Sequence, residues 1–279
     1  MIDFKQLAKA GVHFGHQTSR WNPKMAPYIW GSRSGIHLID VAKTANQAEK
    51  AAKFLESVAA QGKQILWVGT KKQAQAAIAQ AEKLKMPVVT HRWIGGTLTN
   101  NSQVRKSITR MLHFEDILDK SEQVQYKKKE LGMFQKIVDR LQHNVGGIKT
   151  LRWPVGAVVL VDVRKEQTAL KEANVMGIPV VALVDTNSDP SAVDYVIPAN
   201  DDSPKAIKII VDYLVGAAQK GLEEAAQKKV QVVQEQEVTE APLEVIALKK
   251  LEEEEEEKPK SKVVKITKKP ALPPRPKRS

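Results

Sequence analysis

"GAVVLVDVRKEQTALKEANVMGIPVVALVDT", residues 156–186, decides the fold. An apolar, β-branched run at 156–163 leads into a helix-like segment. A second apolar run follows at 178–186. A strand with one solvated face would alternate apolar and polar residues, and these runs do not. They read as strands buried on both faces of a parallel sheet, with 164–177 as the crossover helix. Gly177 stops that helix. Pro179 opens the next strand, where its missing N–H is tolerated.

Working outward, "KQILWVGT" (63–70) is another short apolar run, followed by the helical pattern "KKQAQAAIAQAEKLK". "MPVVTHRW" (86–93) and "AVDYVIP" (192–198) supply further strands, and a long helical pattern begins at Ser203. The expectation is an α/β body with a parallel sheet flanked by helices. Residues 101–145 break the alternation. Val104, Ile108, Met111, Leu112 and Leu118 keep close to helical spacing, as do Leu131, Phe134, Val138 and Leu141. Joined by polar "SEQVQY", the two segments read as an antiparallel helical hairpin inserted into the body. The expected organisation is a body at 1–100 and 146–228, a hairpin at 101–145 and a tail at 229–279. The acidic block "LEEEEEEKPK" and the basic, Pro-rich end predict a disordered tail.

The chain has 279 residues, 44 lysines and arginines against 32 acids, and a net charge of +12. The tail is nearly charge-balanced, so the excess belongs to the folded part. A positive excess on a folded domain favours a polyanionic partner, because each neutralised phosphate releases a counterion. There is no cysteine, which excludes disulfides and thiolate metal sites. No apolar run has the length of a membrane span. The N-terminal "MIDFKQLAKAG" reads as a short amphipathic helix ended by Gly11, without the apolar core of a signal peptide.

Residues 13–35, "HFGHQTSRWNPKMAPYIWGSRSG", contain no acid and spend two tryptophans and a tyrosine outside any apolar run. Arg20, Lys24 and Arg33 offer phosphate donors, and Gln17 and Asn22 offer hydrogen bonds to sugars or bases. Trp21 and Tyr28 can stack on bases or brace the loop, while Trp30 reads as a staple onto the body. His13 and His16 lack the further ligands that a zinc site requires in this stretch. Gly69–Thr70–Lys71–Lys72 joins a strand to a helix, a place that suits phosphate or simple capping, without the spacing of a P-loop. In "HRWIGGTLTNN" (91–101), Gly95–Gly96 permit a tight turn or close approach. Arg92, Thr97, Thr99 and Asn100, with Arg105, Lys106 and Arg110 beyond them, read as a basic edge. Asp162 and Asp185 fall at the carboxyl ends of strands, where ligands collect in open parallel sheets. With Asp189, Asp194, Asp201 and Asp202 they read as turn and helix caps, a cation site being the alternative, with His16 a further candidate ligand. No Ser/His/Asp or paired-carboxylate set can be assembled from spacing.

Six segments in order resemble the bacterial-type small-subunit ribosomal protein S2 family. They are "AGVHFGHQTSRWNPKMAPYIWGSRSGIHLIDVAKT", "ILWVGTKKQA", "HRWIGGTLTN", "VGGIK", "GIPVVALVDTNSDPSAVDYVIPANDD" and "KAIKII". The resemblance covers about residues 3–228. It implies a flavodoxin-like sheet with an inserted helical hairpin, a structural constituent of the small ribosomal subunit, and no catalytic residue or cofactor. It implies binding to small-subunit rRNA and to other small-subunit proteins, including the large one that captures mRNA. Carried over, the RNA-facing residues are Arg20, Asn22, Lys24, Arg33, Lys71, Lys72, Arg92, Thr97, Asn100, Arg105, Lys106 and Arg110. Asn101 stands where the family commonly has an aromatic residue, and Val155–Gly156 where an aspartate often follows the proline. The implied location is the cytoplasmic ribosome, with an organellar ribosome left open. Two competing readings are a flavodoxin-like enzyme or binding protein for a phosphorylated small molecule, and a free RNA-binding protein.

Overall fold

The computed structural model describes residues 2–120 and 126–227. The expected disorder of 229–279 lies outside the described residues. Five strands, β4 (Gln64–Val68), β5 (Val88–Val89), β6 (Val155–Val161), β7 (Val180–Val184) and β8 (Tyr195–Pro198), form a parallel sheet in the order β5-β4-β6-β7-β8. All four pairings are parallel. This is the flavodoxin-like order, with its topological switch between β4 and β6. The apolar runs are therefore strands buried on both faces. On β4, Ile65 and Trp67 face one core while Leu66 and Val68 face the other.

The first core is closed by α1 (Phe4–Ala10), α2 (Val41–Ala60), α3 (Lys72–Ile78) and the helix over 204–227, here α7. Ala45, Ala48, Ala51 and Ala52 line the buried stripe of α2, so this long helix lies close to the sheet. Gly11 ends α1 in a left-handed conformation, φ 77°, that glycine adopts without a Cβ penalty. The second core takes α6 (Gln167–Val175) and the base of the hairpin formed by α4 (Asn101–Asp119) and α5 (Lys128–Val145). Met111 is fully buried, and Phe114 stacks on Phe134 at 5.2 Å between centroids.

One expectation changes. Residues 13–35 are not only a loop, for β1 (Phe14–Gln17), β2 (Ile29–Arg33) and β3 (Ile36–Ile39) form a second, antiparallel sheet in the order β1-β3-β2. Its strands are too short and too exposed to show an apolar period, so backbone pairing rather than side-chain pattern defines them. The run "MPVVTHRW" also shortens, since only Val88–Val89 pairs with the sheet.

Candidate nucleic-acid interface

The crevice at the β4/β6 switch is where an open α/β sheet places a small ligand. Here the chain fills it with its own side chains. Lys71 Nζ lies 2.8 Å from Asp201 Oδ1, 2.6 Å from Asp202 Oδ1 and 3.5 Å from Asp162 Oδ2. Its side chain is 15% exposed. Burial works against its charge, yet the bonds to Asp201 and Asp202 leave its pKa raised. Beside it, buried Glu166 accepts hydrogen bonds from the Thr70 N–H and hydroxyl, and burial raises its pKa. Lys165 Nζ donates to the Thr70 carbonyl at 3.1 Å. An ammonium already saturated by carboxylates is not available to phosphate.

At the other edge of this network, His16 Nδ1 lies 3.1 Å from Asp185 Oδ1, and His16 Nε2 lies 3.4 Å from Asp202 Oδ2. The hydrogen bond to Asp185 raises the His16 pKa. Burial, together with the charges of Asp162 and Asp185, pushes Asp201 up to about 7. His16, Asp185 and Asp201 bring one ligand atom each within 4.8 Å of one another, a nitrogen and two oxygens that could hold a divalent cation. Asp162 and Asp189 act as caps, accepting from Lys165 N and Ser191 N. Asp194 does not cap its own turn, for it accepts from Val180 N, fourteen residues upstream.

Thr186 makes two of the bonds that hold the small sheet and its loop to the body. The Thr186 hydroxyl accepts from His16 N at 2.8 Å, and the Thr186 carbonyl accepts from Asn22 N at 2.7 Å. Gly15 makes this approach possible, since a Cβ there would sit 2.6 Å from Thr186 Cγ2. Fully buried Met25 and half-buried Tyr28 and Ile29 supply the apolar contact. Trp30 does not staple the loop, because it is 76% exposed. Arg20 and Arg33 are exposed and make no ion pair among the described residues. Lys24 is exposed but pairs with Asp189 at 2.7 Å, which holds that carboxyl down to about 2. Asn22 is half-buried, and its side chain caps the following turn through Lys24 N.

The third region, 91–101, is organised by a buried acid on another element. Glu172 of α6 accepts from Trp93 Nε1 (3.0 Å), Gly96 N (2.8 Å), Leu98 N (3.0 Å), Thr99 N (3.3 Å) and the Thr99 hydroxyl (3.3 Å). Burial alone would raise its pKa, but these donors hold it below the usual glutamate value. Gly96, at φ 90°, turns the chain so that its N–H reaches the carboxylate.

These features match a known family. The model for ribosomal protein S2 matches residues 7–221. Small ribosomal subunit protein uS2 from Maridesulfovibrio salexigens is 43% identical over 253 residues, covering 90% of this chain and 96% of that protein. The chain belongs to the ribosomal protein S2 family. It is a ribosomal protein, a structural component and not an enzyme. The self-filled crevice agrees with that membership.

On this S2 chain the twelve residues singled out in the sequence divide. Arg20, Arg33, Lys72, Arg92, Asn100, Arg105, Lys106 and Arg110 are exposed, with the Arg110 guanidinium 5.7 Å above the Phe114 ring. Lys71 faces the aspartates, and Thr97 is 1% exposed with its hydroxyl bonded to the Ile94 carbonyl. Neither presents its polar group to an outside partner. The basic edge is also not continuous. Arg92 lines a cleft with His91, Asp139 and His143, whereas Asn100 and Arg105 line another with Trp153 and Met176. Glu172 escaped the sequence reading. Its one signal is an acid set among Ala169, Leu170 and Ala173 on the buried side of α6.

Proposed function

We propose that the chain is built into the small ribosomal subunit of the cytoplasmic ribosome, where it binds small-subunit rRNA through separate basic surfaces. Those surfaces are Arg20 and Arg33 on the small sheet and its loop, Lys72 at the start of α3, and Arg92, Asn100, Arg105, Lys106 and Arg110 around the hairpin root. One observation carries the reading. The charges at the switch crevice are consumed internally around Lys71, while Arg20, Arg33, Lys72, Arg92, Arg105 and Lys106 stay exposed with no carboxylate partner among the described residues. Exposed unpaired cations gain most from phosphate, because binding releases condensed counterions. Lys24 contributes less, its charge being shared with Asp189.

The same small sheet supports a protein contact. Phe14, Trp21, Trp30 and Ile36 are 47%, 38%, 76% and 38% exposed. Large apolar residues left in water on one small sheet and its loop suit a protein partner's anchor. We read this as the place where the body helps dock the large mRNA-binding ribosomal protein during initiation. Sedimentation of a cell extract tests the function. The chain is expected to co-migrate with small subunits at low salt and to leave them at high salt. A free pool at both salt levels contradicts the reading.

A further inference from the structure

A cleft of ≈ 410 Å³ opens between the exposed face of α6 and residues 187–192, with Asn22 at its rim. Gln167, Leu170, Lys171 and Asn174 line it because they recur at i, i+3, i+4 and i+7 on one helix face. Leu170 and Val163, 5% and 4% exposed, make an apolar floor. Above the floor stand Arg164, Gln167 and Lys171. All three are exposed, and their side chains have neither an ion pair nor a hydrogen bond among the described residues. The acid in the lining, Asp189, is paired with Lys24 and accepts a hydrogen bond from Ser191 N. The remaining walls are already braced, since Asn174 Nδ2 donates to the Ala192 carbonyl at 3.1 Å and Ser188 Oγ to Asn187 Oδ1 at 2.9 Å.

An apolar floor edged by amides and free cations is suited to one kind of ligand group. A nucleobase can lay a flat face on Leu170 and Val163 or under the Arg164 guanidinium. Its edge can bond to Gln167, and its phosphate can reach Lys171. We propose that this cleft receives a single unpaired nucleotide of the subunit's RNA. The inference rests on the reading that the chain contacts RNA. A detached nucleotide fits less well. No glycine contributes to the lining, so there is no glycine-rich turn to cradle a free phosphate. The rim instead continues through Asn22 toward exposed Arg20, along which a longer phosphate chain can run.

The test uses purified small subunits carrying the unaltered chain, the Arg164→Ala/Lys171→Ala chain, the Gln167→Ala chain or the Arg20→Ala/Arg33→Ala chain, with subunits lacking the chain as the blank. Base-reactive probes read every unpaired RNA position. One base protected by the unaltered chain is expected to regain reactivity roughly tenfold in the two cleft variants, the scale of losing a specific base contact. It should stay protected in the Arg20/Arg33 variant. Protections that depend on Arg20 and Arg33, with no base responding to the cleft variants, would overturn the cleft proposal and leave the RNA reading standing. Identical RNA reactivity with and without the chain would overturn both. A photoreactive residue placed at Gln167 should crosslink to RNA, and crosslinking only to protein also overturns the proposal. The altered side chains are exposed, so unchanged melting of the isolated variants confirms that folding is intact.

Discussion

The crevice around Lys71 and the surface around Arg20 and Arg33 carry similar charges with opposite assignments. Lys71 is turned inward and meets three carboxylates, while Arg20 and Arg33 are turned outward and meet none among the described residues. Both regions read as basic in the sequence. Only the inward one sits at the switch point between β4 and β6, where a ligand-binding relative of the fold would keep an open pocket. Charge in this protein is therefore spent in two ways, on holding the body together and on presenting a surface.

The largest expected effect breaks the inward set. Lys71→Met leaves Asp201 and Asp202 without their cation, and removal of one member of a buried ion pair costs about 3–5 kcal/mol. Urea unfolding of the isolated variant should show that loss as a lowered midpoint. A change under about 1 kcal/mol would place Lys71 with the surface cations after all.

Glu172→Gln comes next. It puts an amide N–H₂ against donors that now share a carboxylate, at a cost of about 1–3 kcal/mol. Because the folded-state pKa lies below the usual 4.5, the stability Glu172 contributes is fully present above that value. It is lost as pH falls through the lower folded value. The unaltered chain should therefore lose urea resistance in that acid range, and Glu172→Gln should flatten this part of the profile. Equal profiles would mean that the 91–101 loop is held by something else.

An effect of similar size sharpens the attachment of the small sheet. Gly15→Ala forces its new methyl against Thr186, and overpacking of this kind costs roughly 1–3 kcal/mol. Thr186→Ala removes the obstructing atoms together with the acceptor for His16 N. The double variant should be less destabilised than the sum of the two singles. Strict additivity in the cycle would show that the two side chains do not meet.

The parallel sheet was legible because five apolar runs need burial on both faces, which ties pattern directly to place. Gly11 and Gly177 marked helix ends for an equally local reason, since both adopt positive φ. The small sheet was not legible. Strands of four or five residues with exposed sides leave no periodic signal, and Thr186, which helps to hold them, lies about 170 residues away in sequence. The orientation of Lys71 was hidden for the same reason. Its partners come from the ends of other elements, so a lysine after a strand looks alike whether it faces phosphate or aspartate. Trp30 was misjudged as a staple because burial by Met25, Tyr28 and Ile29 leaves it outside. Glu172 shows how far a single buried carboxylate can organise a distant loop without any motif.

The most direct measurement compares the salt dependence of binding to small-subunit RNA for the unaltered chain, Arg20→Ala/Arg33→Ala and Lys71→Met. Outward charge predicts that the log–log slope falls by up to about two units in the double variant, at ~0.7–0.9 per phosphate contact. Inward charge predicts no change of slope for Lys71→Met, despite its lower stability. An unchanged slope in the double variant, or a reduced one in Lys71→Met, would contradict the division of charge on which this account depends.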